Sequence, residues 1–156
     1  MTFERLRWLA LLMPAALLAG AYISQYVFGL YPCEMCWWQR WPHFAALAPA
    51  ILAFMATGPA MQRMLVALAA LAILTSGLIG AFHAGVEYGW WEGITGCATN
   101  DISDGNALEN IMNAPLIRCD VAPWTLFGIS LAGFNFFLSC GAAIAILTGI
   151  WRNVKN

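Results

Sequence analysis

Charge is what this sequence has least of. Of its 156 residues only 10% are Asp, Glu, Lys or Arg, against roughly 25% in an ordinary soluble domain. That scarcity excludes a solvated globular surface. Seven basic residues against eight acidic ones also leave no basic patch for nucleic acid. Period-2 alternation of apolar and polar residues is missing from the apolar runs, which removes the β-barrel as a membrane solution. Internal repeats, low-complexity tracts and a separate soluble domain are missing too, so residues 1–156 read as one integral membrane domain.

What is present is apolar, at 62% of residues, and it comes in long uncharged runs: Trp8 to Cys33, Trp41 to Gln62, Met64 to Val86 and Val121 to Trp151. Each exceeds the ~18 residues that suggest a spanning segment. Lipid cannot satisfy backbone polar groups, so the spans should be helices. The expectation is an all-α membrane protein: a four-transmembrane-helix bundle with spans near 8–29, 41–61, 64–86 and 122–151. Its extracytoplasmic loops would cover about 30–40 and 87–121, the long one lying between helices 3 and 4. The short connection at Gln62 and Arg63 makes the second and third helices antiparallel neighbours.

Arg5, Arg7, Arg63, Arg152 and Lys155 sit at the two ends and in the middle loop, whereas only Arg40 and Arg118 occupy the other two loops with most of the acids. By the positive-inside rule both termini are cytoplasmic. A cleaved leader is the alternative for the first run, given Arg5, Arg7 and the small residues Ala19, Gly20 and Ala21. Its apolar length exceeds the ~7–15 residues of a leader core, so it reads as an anchor. Within the long loop Leu108, Ile111 and Met112 suggest a short surface helix, and Trp90 and Trp91 mark the interface.

Four of the five cysteines, Cys33, Cys36, Cys97 and Cys119, fall on the extracytoplasmic side, where disulfides persist. Cys140 lies within the last apolar run and reads as a small buried residue without a role. A structural zinc site usually presents two close-spaced knuckles, and here only Cys33 and Cys36 are close, so no metal is expected. Inert stapling is the plainer alternative. A Cys-x-x-Cys ring, however, is too small to remove much chain entropy, so exchange explains the pair better than stabilisation.

If the second helix begins near Cys36, that thiol meets unsatisfied N–H groups that favour its thiolate. Arg40, four residues on, shares the face and can stabilise a thiolate or a developing anion, although alone it reads as a snorkelling side chain. Trp37, Trp38 and Trp41 serve as an interfacial belt or wall a flat aromatic ligand. His83 and Glu87 lie one turn apart near the same membrane face. An intramembrane histidine is a functional hypothesis, with an interhelical hydrogen bond as the equal alternative. Asn135 reads as interhelical glue.

Cys-x-x-Cys followed by Gln39 and Arg40, a long loop with Cys97 and Cys119, and then RCDVAPWTLFGISLAGFN resembles the DsbB family, disulfide bond formation protein B, over nearly the whole chain. The resemblance implies a bacterial inner-membrane enzyme with its cysteine loops in the periplasm. It would accept electrons from a soluble DsbA-like dithiol protein and pass them to ubiquinone or menaquinone. By matching position, Cys97 would take the partner's attack, Cys119 would exchange with Cys33, and Cys36 would deliver electrons to the quinone, with Arg40 and His83 beside it. Gln39 stands where some relatives have an acid. Two rival readings are a non-catalytic, disulfide-stapled tetraspan scaffold and a relative of vitamin K epoxide reductase. In the latter the loop cysteines precede the Cys-x-x-Cys, the reverse of the order here.

Overall fold

The computed structural model describes residues 1–94 and 117–155. Among them are four helices, α1 (Phe3–Tyr26), α2 (Glu34–Met55), α3 (Pro59–Glu87) and α4 (Leu131–Lys155), and a short hairpin of β1 (Thr125–Leu126) and β2 (Ile129–Ser130). Helix α3 is central, packed along both α2 and α4, with α1 closing the other side of α2 and α4. By length and composition α1, α3 and α4 can each cross a membrane. Their outward faces carry Leu12, Leu71, Leu78, Phe137 and Ile144 exposed, as lipid contact requires.

The helix ends differ from those read off charge spacing, for physical reasons. Arg40 interrupts an apolar run and therefore seemed to end a loop at 30–40. Its side chain is instead buried, and α2 runs through it from Glu34. At the other end α2 stops at Met55, because Gly58 caps α3 and Pro59 occupies its first turn, where the missing N–H costs nothing. The fourth helix starts at Leu131 rather than near 122, since the hairpin intervenes. Its turn places Phe127 (φ 52) and Gly128 (φ 77) in the left-handed region, as a two-residue type I′ connection demands.

Small residues let the helices approach. The core is built from Ala10, Ala46, Ala50, Ala53, Val66, Ala69, Ala70, Ile73, Ala143 and Ile146. A Cβ on Gly77 would sit 2.7 Å from the Cys140 sulfur, and one on Gly80 would sit 2.9 Å from the Ala132 carbonyl oxygen. Without a hydrophobic driving force between helices in lipid, such close packing is what holds a bundle together.

Two ties fix the segments above the bundle. Tyr88 Oη donates to the Gly128 carbonyl at 2.9 Å and accepts from Ser130 N at 3.0 Å, which clamps the hairpin to the end of α3. Trp91 folds back over Gly85, where a Cβ would collide with the indole, and stacks on Phe82 at 5.8 Å between ring centroids. Its Nε1 donates to the Phe82 carbonyl at 2.9 Å.

Candidate active site

The sequence places Cys33 immediately after Pro32, and the cysteine itself caps α2: its Sγ accepts the Cys36 N–H at 3.3 Å. One helical turn then brings Cys36 Sγ to 2.8 Å from Cys33 Sγ. The hydrogen bond with Cys36, followed by burial, pushes the Cys33 thiol up from the ordinary thiol range. In the reduced pair the proton therefore stays on Cys33.

Above this pair the chain returns with Cys119. Cys33, Met35, Val86 and Cys119 form a second buried cluster, with Cys36, Phe82 and Ile117 against it. Cys33 Sγ, Cys119 Sγ and a His83 ring nitrogen all lie within 4.8 Å of one another. His83 Nε2 is 3.5 Å from Cys33 Sγ and 3.8 Å from Glu87 Oε1. Next to Cys119, Arg118 and Asp120 form a two-pronged, exposed ion pair, and Arg118 holds the Asp120 carboxyl below the usual carboxylate range. Two soft sulfurs and an imidazole this close are also a donor set for a soft cation, because zinc takes Cys and His together. Spacing along the chain gave no sign of it, as His83 joins from another helix.

Beneath the sulfurs a cavity of about 240 Å³ is lined by Cys36, Gln39, Arg40, His43, His83, Glu87 and Asn135, with apolar walls from Leu17, Leu18 and Phe134. Arg40 is 6% exposed. Its guanidinium lies between the rings of Trp37 (4.8 Å) and Tyr22 (5.0 Å), and donates to Gln25 Oε1 at 2.7 Å and the Ala21 carbonyl at 3.3 Å. These contacts fix a charge at the cavity wall and fasten α2 to α1. Glu87 Oε2 is buried without a hydrogen-bond partner among the described residues.

A family model described as "Disulfide bond formation protein DsbB" matches residues 4–149. The chain belongs to the DsbB family. One relative, "Disulfide bond formation protein B" of Verminephrobacter eiseniae (strain EF01-2), is 28% identical over 153 residues, covering 90% of this chain and 82% of its own. Another, "Uncharacterized protein RP370" of Rickettsia prowazekii (strain Madrid E), is 24% identical over 127 residues, covering 78% and 73%. No solved structure matches. Membership makes this a membrane oxidoreductase of disulfide formation.

For a DsbB-family protein the fold gathers Cys33, Cys36, Cys119, Arg40 and His83 at one end of the bundle. Cys97 and the suggested helix through Leu108, Ile111 and Met112 lie outside the described residues. Cys140 packs against Gly77 within the α3–α4 contact. Sequence reading missed a buried polar chain under the cysteines. Gln39, His43, Ser76 and Ser139 are all buried, and Asn135 links them. The available signal was their spacing inside apolar runs: Gln39 and His43, and Asn135 and Ser139, are each i and i+4, and Ser76 and His83 are i and i+7.

Proposed function

We propose that this chain is a thiol:quinone oxidoreductase of the bacterial inner membrane that reoxidises a DsbA-like periplasmic dithiol protein. The supporting observation is the grouping of Cys119, Cys33 and His83 within 4.8 Å directly beside a cavity that Cys36 and Arg40 line. In this reading α2 joins α1, α3 and α4 as a fourth span, the termini are cytoplasmic and the cysteine segments periplasmic.

The residues present fit a quinone, ubiquinone or menaquinone. The cavity has apolar walls, a fixed cation at Arg40 and an unpartnered carboxylate oxygen at Glu87. Arg40 would bind a headgroup oxygen, with the His83 ring packed beside the headgroup and Cys36 facing it. When bound, the quinone supplies a two-electron, two-proton acceptor that is soluble in lipid. Everything else falls to the protein. The partner's thiolate attacks Cys97 of the Cys97–Cys119 disulfide, and Cys119 leaves as a thiolate. Cys119 then attacks Cys33 of the Cys33–Cys36 disulfide, so that a Cys33–Cys119 bond forms and Cys36 departs with the electron pair. Cys36 is well placed to carry that charge, in the first turn of α2 and one turn from Arg40. Arrangement in two pairs lets a wet disulfide communicate with one at the lipid boundary.

The test is loss of quinone absorbance on adding a reduced DsbA-like protein to purified protein in detergent. The wild type should consume quinone, and Cys36→Ser should consume none while retaining its helical circular dichroism. Turnover by folded Cys36→Ser at the wild-type rate would remove the reading, and absence of turnover by a wild type shown to bind quinone would favour a stapled scaffold.

A further inference from the structure

Buried imidazoles are defined by which nitrogen carries the proton, and here the surroundings decide it. Two carbonyl oxygens, which can only accept, anchor the chain of amides. Asn135 Nδ2 lies 3.1 Å from the Ser76 carbonyl, so that atom is the amide nitrogen, and it donates to Gln39 Oε1 at 2.8 Å. Gln39 Nε2 lies 3.1 Å from the Met35 carbonyl and 2.8 Å from His83 Nδ1. Gln39 is therefore held with its NH2 toward His83, and Nδ1 must accept. Far from the sulfurs the same order holds: Asn135 Oδ1 takes Ser139 Oγ at 2.8 Å and faces His43 Nε2 at 3.0 Å. Reversing either amide would set oxygen against a carbonyl.

We infer that Gln39 is a positioning residue that locks neutral His83 as its Nε2–H tautomer, so that His83 and the Cys36 backbone N–H form a two-donor cradle for a Cys33 thiolate. The distances are 3.5 Å from His83 Nε2 and 3.3 Å from Cys36 N to Cys33 Sγ. Cys33 is 4% exposed, so water does not solvate an anion there. The cradle matters at one step of the cycle proposed above, on which this role rests. When an incoming thiolate attacks Cys119 of a Cys33–Cys119 disulfide, a new bond to Cys119 forms. The Cys33–Cys119 bond breaks, and its electron pair goes to Cys33 Sγ, where the two N–H groups receive it. Cys33 and Cys36 are then both at the thiol level, and their disulfide re-forms when the quinone of that cycle accepts the two electrons. Among the described residues the other groups around the ring are Glu87, one turn on in α3 with Oε1 at 3.8 Å, and Cys119 on the returning segment, whose backbone carbonyl also accepts from the ring; Arg40 and His43 line the cavity below. Because Glu87 Oε1 only accepts when ionised, it favours the same tautomer.

The chain has two histidines, which makes the tautomer directly readable. Reduced protein labelled with 15N-histidine is placed in lipid nanodiscs without quinone or partner, above the imidazole titration, and the His83 signals are identified by their loss in His83→Gln. The wild type should show a pyrrole-type Nε2 and a pyridine-type Nδ1 at His83. Gln39→Glu, whose carboxylate accepts from Nδ1–H, should invert the pattern, and Gln39→Met should leave a mixture. At fixed alkaline pH, Cys33 alkylation should slow about tenfold in Gln39→Glu, the order expected for losing one hydrogen bond to a charged sulfur. In the His83→Gln background the same change should slow it far less. A wild-type His83 with Nδ1 protonated, or an equal slowing without His83, would overturn the assignment. The wild-type spectrum decides the tautomer even if a variant fails to fold, and it does so whether or not the protein turns over quinone.

Discussion

At the scale of the residue, Cys33 is the sulfur with most imposed on it. It caps a helix, contacts Cys36, faces Cys119 and meets His83. Its raised thiol pKa has a signed consequence: below that value the proton stays on, and thiolate reagents do not see the residue. Iodoacetamide added to the reduced protein should modify Cys36 at neutral pH and reach Cys33 only as pH climbs above the ordinary thiol value of ~8.5. Peptide mass spectrometry across the titration would show it, and neutral-pH modification of Cys33 at the rate of a free cysteine would contradict it. The cysteine pair and Arg40 were legible from the sequence because their spacing is local and their chemistry rare in lipid. The donor His83 supplies to Cys33 was not, because it depends on an amide orientation fixed through Asn135 on α4, ninety-six positions away from Gln39.

Among elements, the α3–α4 contact is the one whose geometry the site inherits. A Cβ on Gly80 would lie 2.9 Å from the Ala132 oxygen, 3.0 Å from Asn135 Nδ2 and 3.1 Å from Phe136 N. Two of those are backbone atoms, which do not swing aside. Gly80→Ala should therefore push α4 off α3 and destabilise the bundle by about 1–3 kcal/mol, the usual cost of overpacking. Denaturant unfolding in detergent would measure it, and an unchanged midpoint would mean the helices separate at no cost. Among the described residues, the order of the long helices and the antiparallel α2–α3 pair could be read from charge-free runs. Helix ends could not, since a run of apolar residues is blind to a buried arginine such as Arg40 and to a hairpin inserted before Leu131. Asn135, read as glue between helices, is that and also a relay of orientation to the site.

For the whole molecule, the expected topology assigns the two ends of the bundle to different compartments. In a cysteine-free background, an impermeant maleimide applied to intact spheroplasts should label a cysteine placed at Val121 and spare one placed at Gln62. Labelling of Gln62→Cys before lysis would invert the molecule. The folding back of Trp91 over Gly85, and the burial of Cys119 among Cys33, Met35 and Val86, bear on how the molecule handles concentration. They fasten the chain on both sides of the stretch that carries Cys97. In the proposed cycle Cys97 is then a leashed reactant, its exchange with Cys119 being intramolecular whatever the abundance of the protein. Dilution slows the meeting with a soluble dithiol in proportion, but leaves the internal exchange untouched. Turnover at low partner concentration thus reports encounter, and turnover at saturation reports the leash.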